Sequence, residues 1–589
     1  MKKTKLSKLM AAALGVIMSF SVVACGGNNG DGSGTSGGGN NGDKVQLDVT
    51  YFGRGFGGEY VAELAKKFEE KYEDVQFGDK KGVYVEIKAT TNNNLFRVDS
   101  VFKADDSFDV ALTENTYLDV LIEGDALMDI SDVVNTASKY DNKTIASKMT
   151  AQQIDYLTRD NGAIYAVPHY ASSYGIVYNT ALFEENNWYF KDGYALPAGY
   201  NENDAICDYG TYIATDVSGM FVSSPVDKKT AGPDGVYDTD DDGLPTTYDE
   251  FFWLCKKIQQ SNAIPVSWTG KYYMDYLFKF MKTLLADAEG CENYLANFDP
   301  VGKEVTDLVE VDNNGNVTKL AGKTLTSEDA ADIRKQKGLY DALRFMNVLV
   351  NGELFHADSA FKTNHEHTDN QNDFVESYAD EDSKSIAMII DGAWWEREAT
   401  DNNTFIDVED EYGAEYSKEN LKFGWMTLPK VSKAAYDKAK QSYVADSLNA
   451  FVVVKKNVAS EKVDLAKDFV RYACSDEALQ AFTVTTGAMK ALKYTIDDKS
   501  YKELSNFGKA YYDAMTNETT VPTFVYTYSK SALYARNSDY FVEKFFNVNA
   551  TGSAILKLHE LGASKFNYSD AKNVFDMIYA YSQNQMNNK

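Results

Sequence analysis

Histidine and cysteine are scarce in this chain of 589 residues, with five of each. The cysteines beyond residue 25 are Cys207, Cys255, Cys291 and Cys474. Their spacing is irregular and contains no C-x-x-C pair, which excludes the usual structural zinc site. A single disulfide stays open, with partners the sequence cannot name. The segment His365-Glu366-His367 is too tight for the helical pair that binds metal. No nucleophile elbow set between a strand and a helix occurs, and no metalloprotease helix. Positive charge is also short: 59 Lys and Arg face 88 Asp and Glu, for a formal net charge of −29. Such acidity argues against nucleic acid and anionic lipid surfaces as partners. Beyond the first 25 residues no apolar run reaches membrane-spanning length.

What is present begins with a leader. Lys2, Lys3, Lys5 and Lys8 precede an apolar run from Leu9 to about Ala24, too short and too rich in Ala and Ser for a membrane span. It ends Val22-Val23-Ala24-Cys25-Gly26, which resembles a bacterial lipobox with Cys25 as the lipidated first residue of the mature chain. An ordinary cleaved signal is the alternative. Residues 25–43 continue as a tether of Gly, Asn, Ser and Asp, from which no core can form. Removing residues 1–24 moves the formal charge to −33, because four lysines leave and no acid does. Anchor and tether predict a folded part that works outside the cell, close to a membrane.

A chain this long needs more than one core. From Val45 the pattern alternates strands with helices and predicts an α/β fold with a mostly parallel sheet. Leu47, Val49 and Tyr51 alternate as a strand and run into the glycine-rich turn Phe52-Gly53-Arg54-Gly55-Phe56-Gly57-Gly58. That turn is not a dinucleotide fingerprint, because the glycines fall at the wrong spacing. Residues 108–112 form a strand that ends in Glu114 and Asn115, and residues 264–267 form one that ends at Trp268. The strand Ser385–Ile390 gives way at once to Trp394 and Trp395, which read either as core or as a platform for a flat, amphipathic ligand.

Residues 185–245 are polar and irregular and read as an insertion. At its end, DTDDDGLPTTYD at 238–249 has the spacing of an EF-hand loop. Asp238, Asp240, Asp242, the Leu244 carbonyl and Asp249 are the candidate ligands of a structural calcium, with Asp234 in reserve. A solvated acidic turn is the alternative. Thr247 and Glu250 are placed to cap the helix that follows.

The ordered set of landmarks resembles the bacterial extracellular solute-binding lipoproteins of carbohydrate ABC importers, family 1. It comprises the lipobox, IYAVPHYASSYGIVYNTALF at 164–183, TTYDEFFWLCKKI at 246–258, QNDFVESYADEDSKSIAMIIDGAWWE at 371–396, GWMTLPK at 424–430 and LAKDFVRYACSDEALQAFTVTTG at 465–487. The resemblance implies a two-lobed, periplasmic-binding-protein-like fold of type II with the ligand in the cleft. One lobe would hold 44–167 plus 425–487, the other 168–424 plus 488–589. It also implies a non-enzymatic, monomeric receptor with no catalytic cofactor, which captures a carbohydrate and delivers it to permease subunits in the membrane.

The family's sugar-lining tryptophan corresponds to Trp394. Trp395, Trp268, Tyr170, Phe52, Arg54, Glu114 and Asn115 complete the expected site, since all follow strand ends where such sheets bind ligands. Peptide or another small solute as cargo, and a surface polysaccharide-binding adhesin, are the alternatives. A glycoside hydrolase would need two carboxylates at a defined separation, and nothing in the sequence pins such a pair.

Overall fold

The computed structural model describes residues 41–198, 200–201, 212, 214–297, 300–351, 354, 362, 364–438, 441–445, 449–517, 520–524, 547–549, 552–553 and 568–587. The leader, Cys25, most of the tether and Cys207 lie outside the described residues.

Packing divides the chain into two compact units. The smaller takes in the described residues up to Gln46 together with Glu69–Tyr84. It carries a short hairpin that pairs Gln76 with Lys81 and Phe77 with Lys80. The Tyr72 ring stacks on Phe77 at 5.9 Å. The larger takes in Leu47–Phe68 and the chain from Val85 onward, and it contains all that follows.

Nine strands build its two main sheets: β1 (Val45–Phe52), β2 (Val83–Thr90), β3 (Val110–Leu112), β4 (Ala166–Pro168), β5 (Tyr174–Asn179), β6 (Ile264–Ser267), β7 (Ile386–Gly392), β8 (Phe423–Met426) and β9 (Phe451–Val454). The first sheet has the order β2-β1-β3-β9-β4 and the second β8-β5-β7-β6. The sheets are mixed, where the sequence pattern predicted mostly parallel pairing. β1 and β3 run parallel, with Val49 opposite Val110. β9 enters antiparallel between β3 and β4, pairing Val453 with both Ala111 and Ala166. In the second sheet β7 is parallel to β6 and antiparallel to β5. Strand and helix alternation fixes only the direct β-α-β links; β5 and β9 arrive by crossing from the other sheet and are free to reverse direction. Every residue of β7 is buried, as expected for a strand covered on both faces.

Eight helices position the site: α1 (Glu59–Lys71), α2 (Tyr248–Gln260), α3 (Tyr273–Glu289), α4 (His367–Ala379), α5 (Trp395–Asp401), α6 (Val463–Ala473), α7 (Asp476–Thr486) and α8 (Asn506–Thr516). α2 begins with the capping box read from the sequence: the Glu250 N–H donates to Thr247 Oγ1 and the Glu250 carboxylate accepts the Thr247 N–H, both at 3.3 Å. α6 buries Leu465, Ala466, Phe469, Val470, Tyr472 and Ala473 along one face. Its Phe469 meets Phe68 of α1 at 5.2 Å, beside the first sheet. α8 lies against the second sheet, with the Tyr511 ring 5.1 Å from Trp425 of β8.

The chain thus passes between the two halves after Pro168, after Met426 and after Gly487. The first and third passages pair as a short antiparallel ribbon, with Tyr170 opposite Lys490. Residue 425, the expected start of a lobe segment, falls inside β8, where Trp425 pairs with Val177 of β5. The insertion supplies Trp188, Phe190 and Phe221 to the core around the second sheet. Among the described residues no helix is long and apolar enough to cross a membrane.

Candidate functional site

Strand ends of both sheets converge on one layer of aromatic rings. From the first sheet, the glycine turn after β1 contributes Phe56. From the second, Tyr174 opens β5 directly opposite Gly392, the last residue of β7, and Trp394 follows two residues later. The Phe56 ring lies 4.6 Å from Tyr170 and 6.2 Å from Trp394. Trp394 meets Tyr174 edge to face at 4.8 Å and Tyr276 of α3 at 6.2 Å. The Trp394 indole N–H donates to the Tyr276 hydroxyl at 3.4 Å. Two glycines permit this closeness. A Cβ on Gly392 would meet the Trp394 indole at 2.3 Å, and one on Gly57, where φ is +69°, would meet Asp401 Oδ2 at 2.5 Å.

A polar network lies beside the rings. Gln371 of α4 donates through Nε2 to Asp391 Oδ2 at 3.1 Å and to Glu398 Oε2 at 3.0 Å. His367 Nε2 reaches Glu398 Oε1 at 3.1 Å, and the Tyr276 ring stacks on the imidazole at 5.7 Å. Burial, and then the neighbouring Glu398 charge, push the Asp391 carboxyl up to about 7. Burial lowers the His367 pKa, but its hydrogen bond to Glu398 and that group's charge more than reverse this and leave it raised. Gln371 Oε1 and His367 Nδ1 are buried and make no hydrogen bond among the described residues. Buried polar atoms without partners are costly, so these two are the atoms a polar ligand would satisfy best.

The residues expected from sequence fall into different places. Trp394 and Tyr170 join the aromatic layer. The Tyr170 hydroxyl donates to Glu114, whose other oxygen accepts from Asn115 Nδ2 at 3.2 Å. Asn115 sits in the left-handed region, with φ +53°, and its carbonyl accepts from Arg97 Nε at 3.0 Å. Trp395 is fully buried among Phe374, Phe405, Phe423 and Phe507. Trp268 is buried in the core around the second sheet. Phe52 is buried within the first sheet and Arg54 is exposed.

Phe56, Tyr174, Tyr276, Gln371, Asp391, His367 and Glu398 were not singled out from sequence. A carboxylate closing the wholly apolar strand IIDG was the available signal for Asp391.

One more bond spans the two halves. Arg397 of α5 pairs with Glu59 at the start of α1, and with Asp401 at 2.5 Å.

The sequence profile described as "Bacterial extracellular solute-binding protein" matches residues 63–509. The chain belongs to this family. No curated protein matches this solute-binding protein. Among solved structures it is similar to the apo form of RafE from Streptococcus pneumoniae, with a TM-score of 0.51 and 14% identity over 94% of this chain and 100% of the other. RafE in complex with raffinose gives a TM-score of 0.50 and 14% identity over 92% and 100% of the two chains. At that identity the likeness is one of fold: a mixed α/β, two-lobed, periplasmic-binding-protein-like architecture.

The calcium-loop carboxylates do not converge in this arrangement. Asp242 accepts the Asp238 N–H at 2.9 Å, and Asp249 accepts the Tyr200 hydroxyl at 2.6 Å. Asp241, which the motif does not use, turns inward to accept from the Asp234 N–H at 3.0 Å and Thr239 Oγ1 at 2.8 Å. Among the described residues no group of three or more His, Cys, Asp and Glu side chains is placed to hold a metal ion.

Proposed function

We propose that this solute-binding protein is a lipid-anchored extracytoplasmic receptor that captures a carbohydrate, best an oligosaccharide, and presents it to an ABC import permease. The observation that carries this reading is the aromatic layer of Phe56, Tyr170, Tyr174, Tyr276 and Trp394 lying against the unsatisfied Gln371 Oε1 and His367 Nδ1. Aromatic rings take the C–H face of a sugar, and a few fixed polar atoms select its hydroxyls. Membership of the solute-binding family supports capture without covalent chemistry, and the raffinose bound by RafE supports sugar as the first class to try.

In this conformation the rings from the two sheets meet each other. Sugar entry parts them, and closure over the sugar then presents the liganded form to the permease. The lobes follow the sheets: β1–β4, β9, α6 and α7 in one, β5–β8 and α8 in the other. Cys25 carries the lipid, and mass spectrometry of the mature N-terminus tests that assignment.

A thermal-shift screen of the purified protein against raffinose, maltose and longer oligosaccharides tests the ligand class. A ligand at about 100 times its Kd stabilises the native state by roughly 2.7 kcal/mol. No shift from any sugar, with the protein folded, would transfer the site to peptide cargo or an adhesin role.

Calcium at 238–249 is a proposal of spacing alone. Binding would require Asp238, Asp240 and Asp242 to turn inward together and Asp249 to leave Tyr200. A rise in melting temperature on adding Ca²⁺ but not Mg²⁺ is the expected sign, and an unchanged melting temperature would leave a hydrogen-bonded acidic turn.

A further inference from the structure

A cavity of about 520 Å³ opens beside the ribbon where the chain passes between its halves, well separated in sequence from the residues of the sugar layer. Its lining includes Lys143, Lys490 and Lys493 against a single carboxylate, Asp476. That balance is the reverse of the chain as a whole, which carries −29. Asp476 is already engaged by Lys143 and Lys148, both at 2.7 Å, so it neutralises neither Lys490 nor Lys493. Met489, Leu492 and Met515 give the cavity an apolar wall.

Lys490 is the unusual member. Its ammonium nitrogen is buried and bonds His169 Nδ1 at 2.7 Å. It lies 4.4 Å from the centre of the Phe482 ring and 5.2 Å from that of Tyr60. No carboxylate pairs with it among the described residues. Burial pulls its pKa down to about 7. The groups that surround it from each packed element offer no negative partner. His169, on the first passage, has its pKa held well below the ordinary value by burial, then by Lys490 itself. His169 Nε2 is engaged with the Tyr60 hydroxyl of α1 at 3.0 Å. Burial pushes the Cys474 thiol, at the end of α6, up to about 11. The Tyr494 hydroxyl donates no charge and accepts the Lys490 backbone N–H at 3.0 Å. Lys148 is itself a cation, tied to Asp141 at 2.6 Å. A buried amine with no counter-charge, beside a cavity that holds a surplus of lysines, is an incomplete ion pair.

We propose that this cavity binds a small organic carboxylate, with Lys490 and Lys493 facing its charge and Met489, Leu492 and Met515 facing its carbon skeleton. The site is independent of the sugar reading, because it shares no residue with the aromatic layer. Binding restores the ammonium form of Lys490, so a carboxylate that arrives above neutral pH brings a proton with it.

The test is isothermal titration of the purified protein with succinate, citrate and inorganic phosphate, in two buffers of different ionisation enthalpy. Expected is saturable binding of at least one of the two carboxylates, tighter than phosphate. Uptake of up to about one proton is expected near pH 8, fading by about pH 6, where the lysine is already charged. Lys490→Met should lose at least about tenfold in affinity together with the proton uptake. Lys490→Arg, which stays charged, should keep the affinity and lose only the uptake. Should Lys490→Met fail to fold, Lys490→Arg and Lys493→Gln decide, the latter by a weaker affinity with unchanged uptake. Absence of saturable binding by both carboxylates, affinity untouched by the variants, proton uptake that survives Lys490→Arg, or phosphate binding as tightly as the carboxylates would overturn the proposal.

Discussion

Trp394 and Trp395 are adjacent in the chain and both are buried, yet they serve opposite sides of the turn that follows β7. Trp395 is enclosed by four phenylalanines from α4, β8, α8 and the helix that follows α5, and nothing polar among the described residues reaches its indole N–H. Trp394 meets only rings that carry, or lie against, a polar group, and its own N–H finds the Tyr276 hydroxyl. One ring is held by packing that can have a single solution. The other is held by contacts across a seam between two halves, and a ligand can replace those contacts. Burial alone does not separate core from site; what separates them is whether the neighbours come from one half or from two.

The largest effect should come from the core side. Trp395→Ala should cost about 4 kcal/mol of stability, the usual cost of emptying a buried aromatic position. Chemical denaturation measures this directly. A loss below about 1 kcal/mol would mean that the pocket collapses easily and that the contrast between the two rings is wrong.

Trp394→Ala should act mainly on ligand. Removing a central aromatic contact typically costs about 2 kcal/mol or more of binding, so sugar affinity should fall on the order of 30-fold or further. Calorimetric titration of wild type and variant with the sugar found by thermal shift reads it. Undiminished affinity would return Trp394 to the core and leave the ligand site elsewhere.

How much of this was legible in the sequence depends on what kind of information each residue needed. Strand ends were readable because apolar runs stop at Gly and charged residues, and Trp394, Tyr170 and Glu114 were reached that way. The glycine turn was read at the wrong residues. Phe52 and Arg54 follow the strand's alternation, but Gly55 and Gly57 both take positive φ and break that phase, which brings Phe56 inward. Trp268 follows a strand end as the others do, yet it packs into the core around the second sheet; position in sequence does not say which side of a strand end faces the seam. The Asp391 network was out of reach, because it is assembled from α4, β7 and α5. The EF-hand spacing failed as a guide to geometry for a related reason: hydrogen bonds within the turn, not the one-three-five pattern, decide that Asp241 points inward.

The pH dependence of stability sharpens the comparison, since only the Trp394 side carries ionisable groups. Asp391 has a folded-state pKa of about 7, raised from the ordinary carboxylate value. The native state therefore holds a proton that the unfolded chain releases between about pH 4 and pH 7. Its contribution is fully present below about pH 4 and is lost as pH rises through 7. The raised His367 acts in the same direction across its own range. Asp391→Asn should flatten this slope by roughly 2–4 kcal/mol across that interval while leaving the Trp395 core intact. Denaturation midpoints at about pH 5 and pH 8 measure it. An unchanged slope would show that the proton resides elsewhere in the network.

The smallest effect should be at the seam's outer edge. Glu59 belongs to α1 and Arg397 to α5, so their pair forms only when the two halves approach. Glu59 is 62% exposed, and water and salt screen such a pair. Arg397 also keeps Asp401 as a second partner, which softens the loss of the first. Glu59→Gln should therefore weaken sugar binding by less than about 1 kcal/mol, and the deficit should shrink as ionic strength rises and screens the wild-type pair. Its origin should lie in faster release, since the pair holds a closed state and does not touch the ligand. A slower on-rate with unchanged release would place the charge in the encounter instead, and the pair would then guide the sugar's entry and not the halves' closure.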